Sequence, residues 1–259
     1  MGSARSSDTD PAGTSRAAAA SAFTADQRSG AYPAGIGAHY WHLTRNRVVL
    51  GALRTAGAAA PVLDIGCGPG TTVRYLRERG LDCTGADLAR YEATDPDLAR
   101  AVRYGQDVFA LPAAERDRVR TLLLLDVLEH LPEPIAFLRR CVEAFPRAGH
   151  LVITLPARQE LWSNFDAHYG HVRRYDRPAA IALCRDADLD VRRCDYFFHA
   201  LYPAIALQRL FAVARTVEFA AVRHRWWHRL LAALLYRDAT WVPGAVPGSS
   251  LLLVARPRP

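Results

Sequence analysis

From Pro61 onward, short apolar runs alternate with amphipathic segments. That alternation predicts a parallel sheet with crossover helices. The runs place strands at 62–65, 83–86, 102–105, 121–125 and 150–155, with helices over 71–79, near Leu98, near Glu115 and over 134–144. A helix over 178–187 leads to a sixth strand at 191–197, and 250–255 is the last strand. Roughly fifty residues separate these two strands, well beyond an ordinary connection of about two to six, so a structured insertion is expected between them. Within it, 209–237 reads as one or two amphipathic helices with Leu210, Val213, Val217, Trp227, Leu230, Leu231 and Leu234 as apolar positions.

Ahead of the strands, residues 1–30 are small and polar without an apolar period, and read as a flexible tail with no functional part. Residues 39–56 put Trp41, Val48, Val49, Ala52 and Leu53 on one helical face, and Gly57 ends that helix. The expected organisation is one α/β domain over 31–198 and 249–259, with a leading helix, and a helical cap over 199–248. No internal repeat is evident.

The chain has 259 residues, half of them apolar, which is enough to bury a sizeable core and excludes a disordered chain. Its net charge is +7, and all 33 basic residues are arginine. Arginine forks onto phosphate, so a nucleic-acid partner comes to mind, although codon usage in a G- and C-rich genome accounts for the missing lysine. The distribution is more informative: from Val191 to the end, ten arginines face only Asp195, Glu218 and Asp238, which amounts to the whole net charge. The excess is therefore a property of the cap region, where it favours an anionic acceptor or an anionic membrane surface over nucleic acid. The five cysteines form no CxxC pair and no Cys/His cluster at ligand spacing, so neither a disulfide framework nor a metal site is expected, and a reducing cytoplasm is the default compartment. No stretch offers the roughly 20 apolar residues of a membrane span, so the protein is expected to be soluble or peripheral.

The strongest chemical signal is Leu63-Asp64-Ile65-Gly66-Cys67-Gly68-Pro69-Gly70, which closes a strand and opens a helix. Gly66, Gly68 and Gly70 let the backbone turn and approach a ligand closely, and the following helix offers free N–H groups. Asp87 closes the second strand about twenty residues later, where a carboxylate can accept both hydroxyls of a ribose. Asp107, after the third strand, can accept from an exocyclic amine. Each aspartate alone also fits a loop cap; jointly they outline a nucleoside-shaped site at the carboxyl ends of the strands.

With those residues in place, the chain resembles the class I S-adenosylmethionine-dependent methyltransferases. LDIGCGPG is similar to that family's first motif, TGADL to its acidic second-strand motif, GQDVFALP to its adenine-contacting motif and LLLLDVLEHLPEP to its fourth-strand motif. The resemblance implies a doubly wound, mostly parallel, seven-stranded Rossmann-like sheet whose last strand is antiparallel. It implies S-adenosylmethionine as cofactor, with Asp64, Gly66, Gly68 and Gly70 around the methionine part, Asp87 and the adjoining Leu88 at the ribose, Asp107 and Val108 at the adenine, and Asp126 near the sulfonium. A nicotinamide dinucleotide is the rival ligand, but the turn reads GxGxG rather than GxGxxG, and no separate catalytic domain follows.

Oxygen and carbon acceptors must also lose a proton to a positioned base. Asp166, His168, His171, Arg173, Arg174 and Tyr175 cluster after the fifth strand, and His171 is favoured as base with His168 second; holding the loop together is the plainer alternative for His171. His130 is expected either to face substrate or, as the plainer reading, to be lining or helix-start structure; Tyr175 is expected to face substrate, and Phe198 and Tyr202, with Tyr196, Phe197 and His199, to wall the acceptor pocket. Tyr40 and Trp41 either cover the cofactor or anchor the leading helix. The expected activity is methyl transfer to a small or lipid-like acceptor. A non-catalytic cofactor-binding scaffold and an RNA methyltransferase are the alternatives, the second without any appended RNA-binding module. For 209–237, a substrate cap, a peripheral membrane contact and a dimer contact all remain open.

Overall fold

The computed structural model describes residues 25–92, 96–211, 214–219 and 221–258. The tail before Ala25 and the apolar position Val213 lie outside the described residues. Seven strands, β1 (Val62–Ile65), β2 (Cys83–Asp87), β3 (Val102–Tyr104), β4 (Thr121–Leu125), β5 (His150–Pro156), β6 (Leu189–Phe197) and β7 (Ser250–Pro257), form one sheet. Their order is β3-β2-β1-β4-β5-β7-β6. β1 to β5 pair in parallel, and β7 runs antiparallel to both β5 and β6. Every residue of β1, β4 and β5 is buried. This is why those strands read as mostly apolar runs: helices cover both faces.

Side chains alternate across the sheet. Leu122 and Leu124 join one core cluster, with α6 (Pro134–Ala144) and α8 (Arg177–Asp186), while Leu123 and Leu125 join the other. That second cluster is closed by α2 (Tyr40–Thr55), α3 (Thr71–Arg77), α4 (Pro96–Ala101) and α10 (Arg225–Trp241). The remaining helices are α1 (Ala25–Ala31), α5 (Ala113–Arg116), α7 (Asn164–His168) and α9 (Leu201–Leu210).

Three departures from the sequence reading matter for the site. Residues 25–31 are helical, and Gly30 O accepts from Phe219 N–H at 3.0 Å, so the end of what reads as a tail has structure of its own. For 209–237 two helices are found, one of the two arrangements expected, but with other bounds: α9 starts earlier, at Leu201, and α10 only at Arg225. In α2 the predicted residues Val48, Val49, Ala52 and Leu53 are buried, but so are His42, Thr44, Arg45 and Asn46. α2 lies between α3 and α10, where Thr44 Oγ1 donates to Ala232 O at 3.5 Å and Tyr40 N–H to His228 Nδ1 at 3.2 Å. No residue of this stretch is therefore fully exposed.

Candidate functional site

β1 hands the chain to the glycine turn, where Gly66 and Gly68 adopt φ of 71° and 57°. A Cβ on Gly66 would stand 2.9 Å from Val127 Cγ2, and one on Gly68 would stand 2.9 Å from Tyr32 Oη. Both the left-handed backbone and the close approach require glycine. Gly70 does different work: it caps α3, and its missing side chain makes room for Leu98.

A cavity of about 800 Å³ opens over the carboxyl ends of β1, β2 and β4. This is the reversal point of the strand order, where open α/β sheets bind ligands. On one side stand Gly66, Asp87, Leu88, Asp107, Val108 and Asp126. Asp87 Oδ2 accepts from Gly68 N–H at 2.8 Å and Oδ1 from Ala89 N–H at 2.7 Å. Both bonds come from backbone N–H groups, which fix the direction of the carboxylate at the rim of the cavity. Asp107 Oδ1 accepts from Phe109 N–H at 3.0 Å and thereby caps the short turn 108–110.

Asp126 sits at φ 58°, an uncommon conformation for a side-chain-bearing residue. Thr154 holds it there, accepting from its N–H at 3.1 Å and donating Oγ1–H to Oδ1 at 3.1 Å. Oδ2 receives Arg45 Nη1–H at 2.6 Å. Arg45 also donates to Thr72 Oγ1, which donates to Asn46 Oδ1 at 2.9 Å. Asp64 lies beneath the turn, is 2% exposed, and is not part of the cavity lining. Burial raises its carboxyl pKa to about 7, and Arg45 acts in the opposite direction.

The other side of the cavity is built on the loop after α7. Asp166 is completely buried and accepts from Ser163 N–H, from Arg174 Nε–H at 2.7 Å and from Arg174 Nη2–H at 3.0 Å. Burial pushes its carboxyl up, but hydrogen bonds from His171 and Arg174 outweigh this and hold it at about 2. His171 Nδ1 is 2.8 Å from Asp166 Oδ1. An ionised carboxylate only accepts, so Nδ1 carries the proton of this bond, and in a neutral imidazole the lone pair is then on Nε2. The His130 ring meets that of His171 edge to face at 4.8 Å, and burial, reinforced by His171, lowers the His130 pKa to about 4. Glu129 beside it is 0% exposed, neither carboxylate oxygen has a hydrogen-bond partner, and burial followed by the Asp126 charge raises its pKa well above the usual range. One donor atom from each of Glu129, His130 and His171 lies within 4.8 Å of the others, a cluster that linear spacing of cysteines and histidines had not predicted.

Several predicted residues lie elsewhere. His168 is half-buried outside the cavity, its ring against Tyr169 at 4.8 Å. Tyr175 is core, with its hydroxyl donating to Leu128 O at 3.4 Å. Phe198 is fully buried and stacks on Trp41 at 5.9 Å, and Phe197 and Tyr196 are also core. His199 anchors the cap, its N–H donating to Asp238 Oδ2 at 2.9 Å, and Tyr202 donates to Glu160 Oε1 at 3.1 Å away from the cavity. The aromatic run ends β6 inside the core, so the pocket wall comes instead from α9, through Leu201, Ile205 and Gln208. Tyr40 and Trp41 do line the cavity. Tyr32, Arg45 and Glu129 escape sequence reasoning; the available signals were a polar stripe through the apolar α2 and a glutamate inside DVLEHL.

Residues 40–193, more than half of the chain, match a methyltransferase-domain family. The ubiquinone biosynthesis O-methyltransferase of Psychrobacter cryohalolentis is 31% identical over 105 residues, 38% of this chain and 41% of that protein. The one from Xanthomonas campestris pv. campestris is 29% identical over 115 residues, 40% of this chain and 46% of that protein. The chain thus spans less than half the length of these curated relatives. Among solved structures, the 1,6-didemethyltoxoflavin-N1-methyltransferase of Burkholderia thailandensis, with bound 1,6-didemethyltoxoflavin and S-adenosylhomocysteine, has the same fold. Its TM-score is 0.51 at 18% identity, over 84% of this chain and 78% of that one. With everything from α2 to the middle of β6 inside the matched family, this chain belongs to the class I S-adenosylmethionine-dependent methyltransferases.

Proposed function

We propose that the protein moves the methyl group of S-adenosylmethionine to an oxygen of a small, largely apolar molecule. The carrying observation is the Asp166–His171 pair, which fixes an imidazole in the cavity wall by its Nδ1. An in-line displacement at the sulfonium needs the acceptor oxygen stripped of its proton, and a positioned base contributes about 10²–10⁴-fold. His171 is that base, and Asp166 positions it. Asp87 serves the ribose, Asp107 and Val108 the adenine, and Gly66 and Asp126 the methionine end. The relatives' naming as O-methyltransferases supports oxygen as the accepting atom.

The cap supports a lipid-linked acceptor drawn from an anionic membrane surface. α9 lines the cavity yet turns Leu207, Leu210 and Phe211 outwards, and α10 exposes Trp226, Trp227, Leu230, Leu234 and Trp241. On α10 these positions, with Arg237, fall within about a third of the helix circumference, the arrangement of an interfacial helix. No helix among the described residues is long and apolar enough to cross a membrane.

The test is methyl transfer by the full chain to hydroxylated aromatics with short and long apolar tails, with and without anionic vesicles. Oxygen methylation that is faster for the long tail on vesicles is expected, and His171→Ala should lower kcat at least 100-fold with S-adenosylhomocysteine affinity retained. If S-adenosylhomocysteine gives no thermal stabilisation, the donor assignment fails; binding without transfer to any acceptor leaves a non-catalytic scaffold.

A further inference from the structure

We infer that Glu129, His130 and His171 form a site for one divalent first-row transition-metal ion, of the Zn²⁺ or Mn²⁺ kind, at the acceptor end of the cavity. The ion's use depends on the methyl-transfer reading above, but its binding does not.

The three donor atoms lie within 4.8 Å of one another. Donors around one ion at about 2.1 Å are roughly 3–4 Å apart, so closure needs a shift of about 1 Å. The placement is built from distant sequence: Val172 N–H donates to Glu129 O at 2.8 Å, and Arg173 Nη2–H to Pro132 O at 3.0 Å. These bonds staple the His171 loop to the turn that carries Glu129 and His130.

Glu129 is the observation that points to a ligand. A completely buried carboxylate with neither oxygen bonded is costly, and a cation offsets that cost directly. His171 is arranged as a metal-bound imidazole usually is, with its second nitrogen on a carboxylate. Arg174 clamps that carboxylate by two N–H bonds, so the ring direction is set before any ion arrives. Two imidazoles and one carboxylate favour zinc, manganese or iron over magnesium or calcium, and three protein ligands leave positions open. Those positions face the cavity, where an acceptor oxygen completes the coordination and releases its proton to water. In the loaded state Nε2 is a ligand and the ion does the work of the base.

The full chain, stripped with a chelator, is dialysed against ZnCl₂ or MnCl₂ and its metal content measured. One equivalent per chain is expected, with affinity at least tenfold lower in Glu129→Gln and in His171→Asn, and no displacement by equimolar Mg²⁺. S-Adenosylhomocysteine binding by each variant reports whether its fold survives. Visible absorption of the Co²⁺-loaded wild type reads nitrogen and oxygen ligation without any variant. Failure of the wild type to take up an equivalent overturns the inference and leaves His171 as the base. So does uptake that persists in both variants and disappears in His228→Ala, since the His39 and His228 rings are only 4.9 Å apart. Stoichiometric binding without methyl transfer supports the ion site and counts against the function proposed above.

Discussion

Arg45 of α2 and Asp126 at the end of β4 meet at 2.6 Å in the cavity wall, 81 residues apart in sequence. Their side chains are 10% and 21% exposed, so the pair is largely withdrawn from water. Arg45 also opposes the burial that raises Asp64. One guanidinium thus acts on the carboxylate of β1 and on the one that follows β4.

Replacing Arg45 with Met leaves Asp126 without its cation. Stability should fall by roughly 2–4 kcal/mol, somewhat less than for a fully buried pair because Asp126 keeps some solvent. The freed carboxylate then favours the positively charged ligand, so S-adenosylmethionine should bind several-fold more tightly relative to neutral S-adenosylhomocysteine. Denaturant unfolding and titration calorimetry with both ligands check this; an unchanged affinity ratio removes Asp126 from the sulfonium's surroundings.

Asp87 shapes the glycine turn through Gly68 N–H and is the residue proposed to hold the ribose. Asp87→Ala should weaken S-adenosylhomocysteine binding about 10- to 100-fold, the worth of one or two hydrogen bonds to a charged group. Calorimetry showing wild-type affinity would sink this assignment.

At Gly68, a methyl group meets Tyr32 Oη at 2.9 Å on a backbone at φ 57°. Gly68→Ala should therefore cost about 1–3 kcal/mol of stability and displace Tyr32. Adding Tyr32→Ala relieves the clash but not the backbone strain, so only part of the loss should return. Thermal melts of the single and double variants separate the two contributions.

The titrating groups act with opposite signs. Burial lowers His39 and His130 to about 4 and bonded partners hold Asp166 at about 2, so their contributions are present above the unfolded pKa values and are lost as pH falls, between about 6.5 and 4 for the histidines and between about 4 and 2 for Asp166. Asp64 is raised to about 7, so its contribution is lost as pH climbs from about 4 to 7. Urea unfolding should show Asp64→Asn gaining on the wild type over that rise, and His39→Asn losing less than the wild type between pH 6.5 and 4.

Sedimentation with anionic vesicles tests the outer face of α10. Changing Trp226, Trp227, Leu230 and Leu234 to serine should abolish pelleting while leaving binding of S-adenosylhomocysteine intact, because all four are exposed. Equal pelleting of the variant excludes this face as the membrane contact.

Local pattern alone determined a good deal. Short, mostly apolar runs between turn signals mark strands covered on both faces, so β1, β4 and β5 were legible, and a GxGxG turn after a strand with an acidic residue closing the next is the pattern of a nucleoside site. His171 was legible as a type of residue, since histidine is the side chain whose unperturbed pKa lies near neutrality. Tertiary structure decided the rest, because the deciding contacts join distant segments. Arg45 reads as a polar residue on an amphipathic helix until Asp126 is found 2.6 Å away, and Glu129 becomes chemically significant only when the loop carrying His171 folds over it. The direction of Phe198 was equally invisible: strand composition fixes that an aromatic is buried, but whether its ring faces a pocket or Trp41 depends on how the cap closes over the sheet.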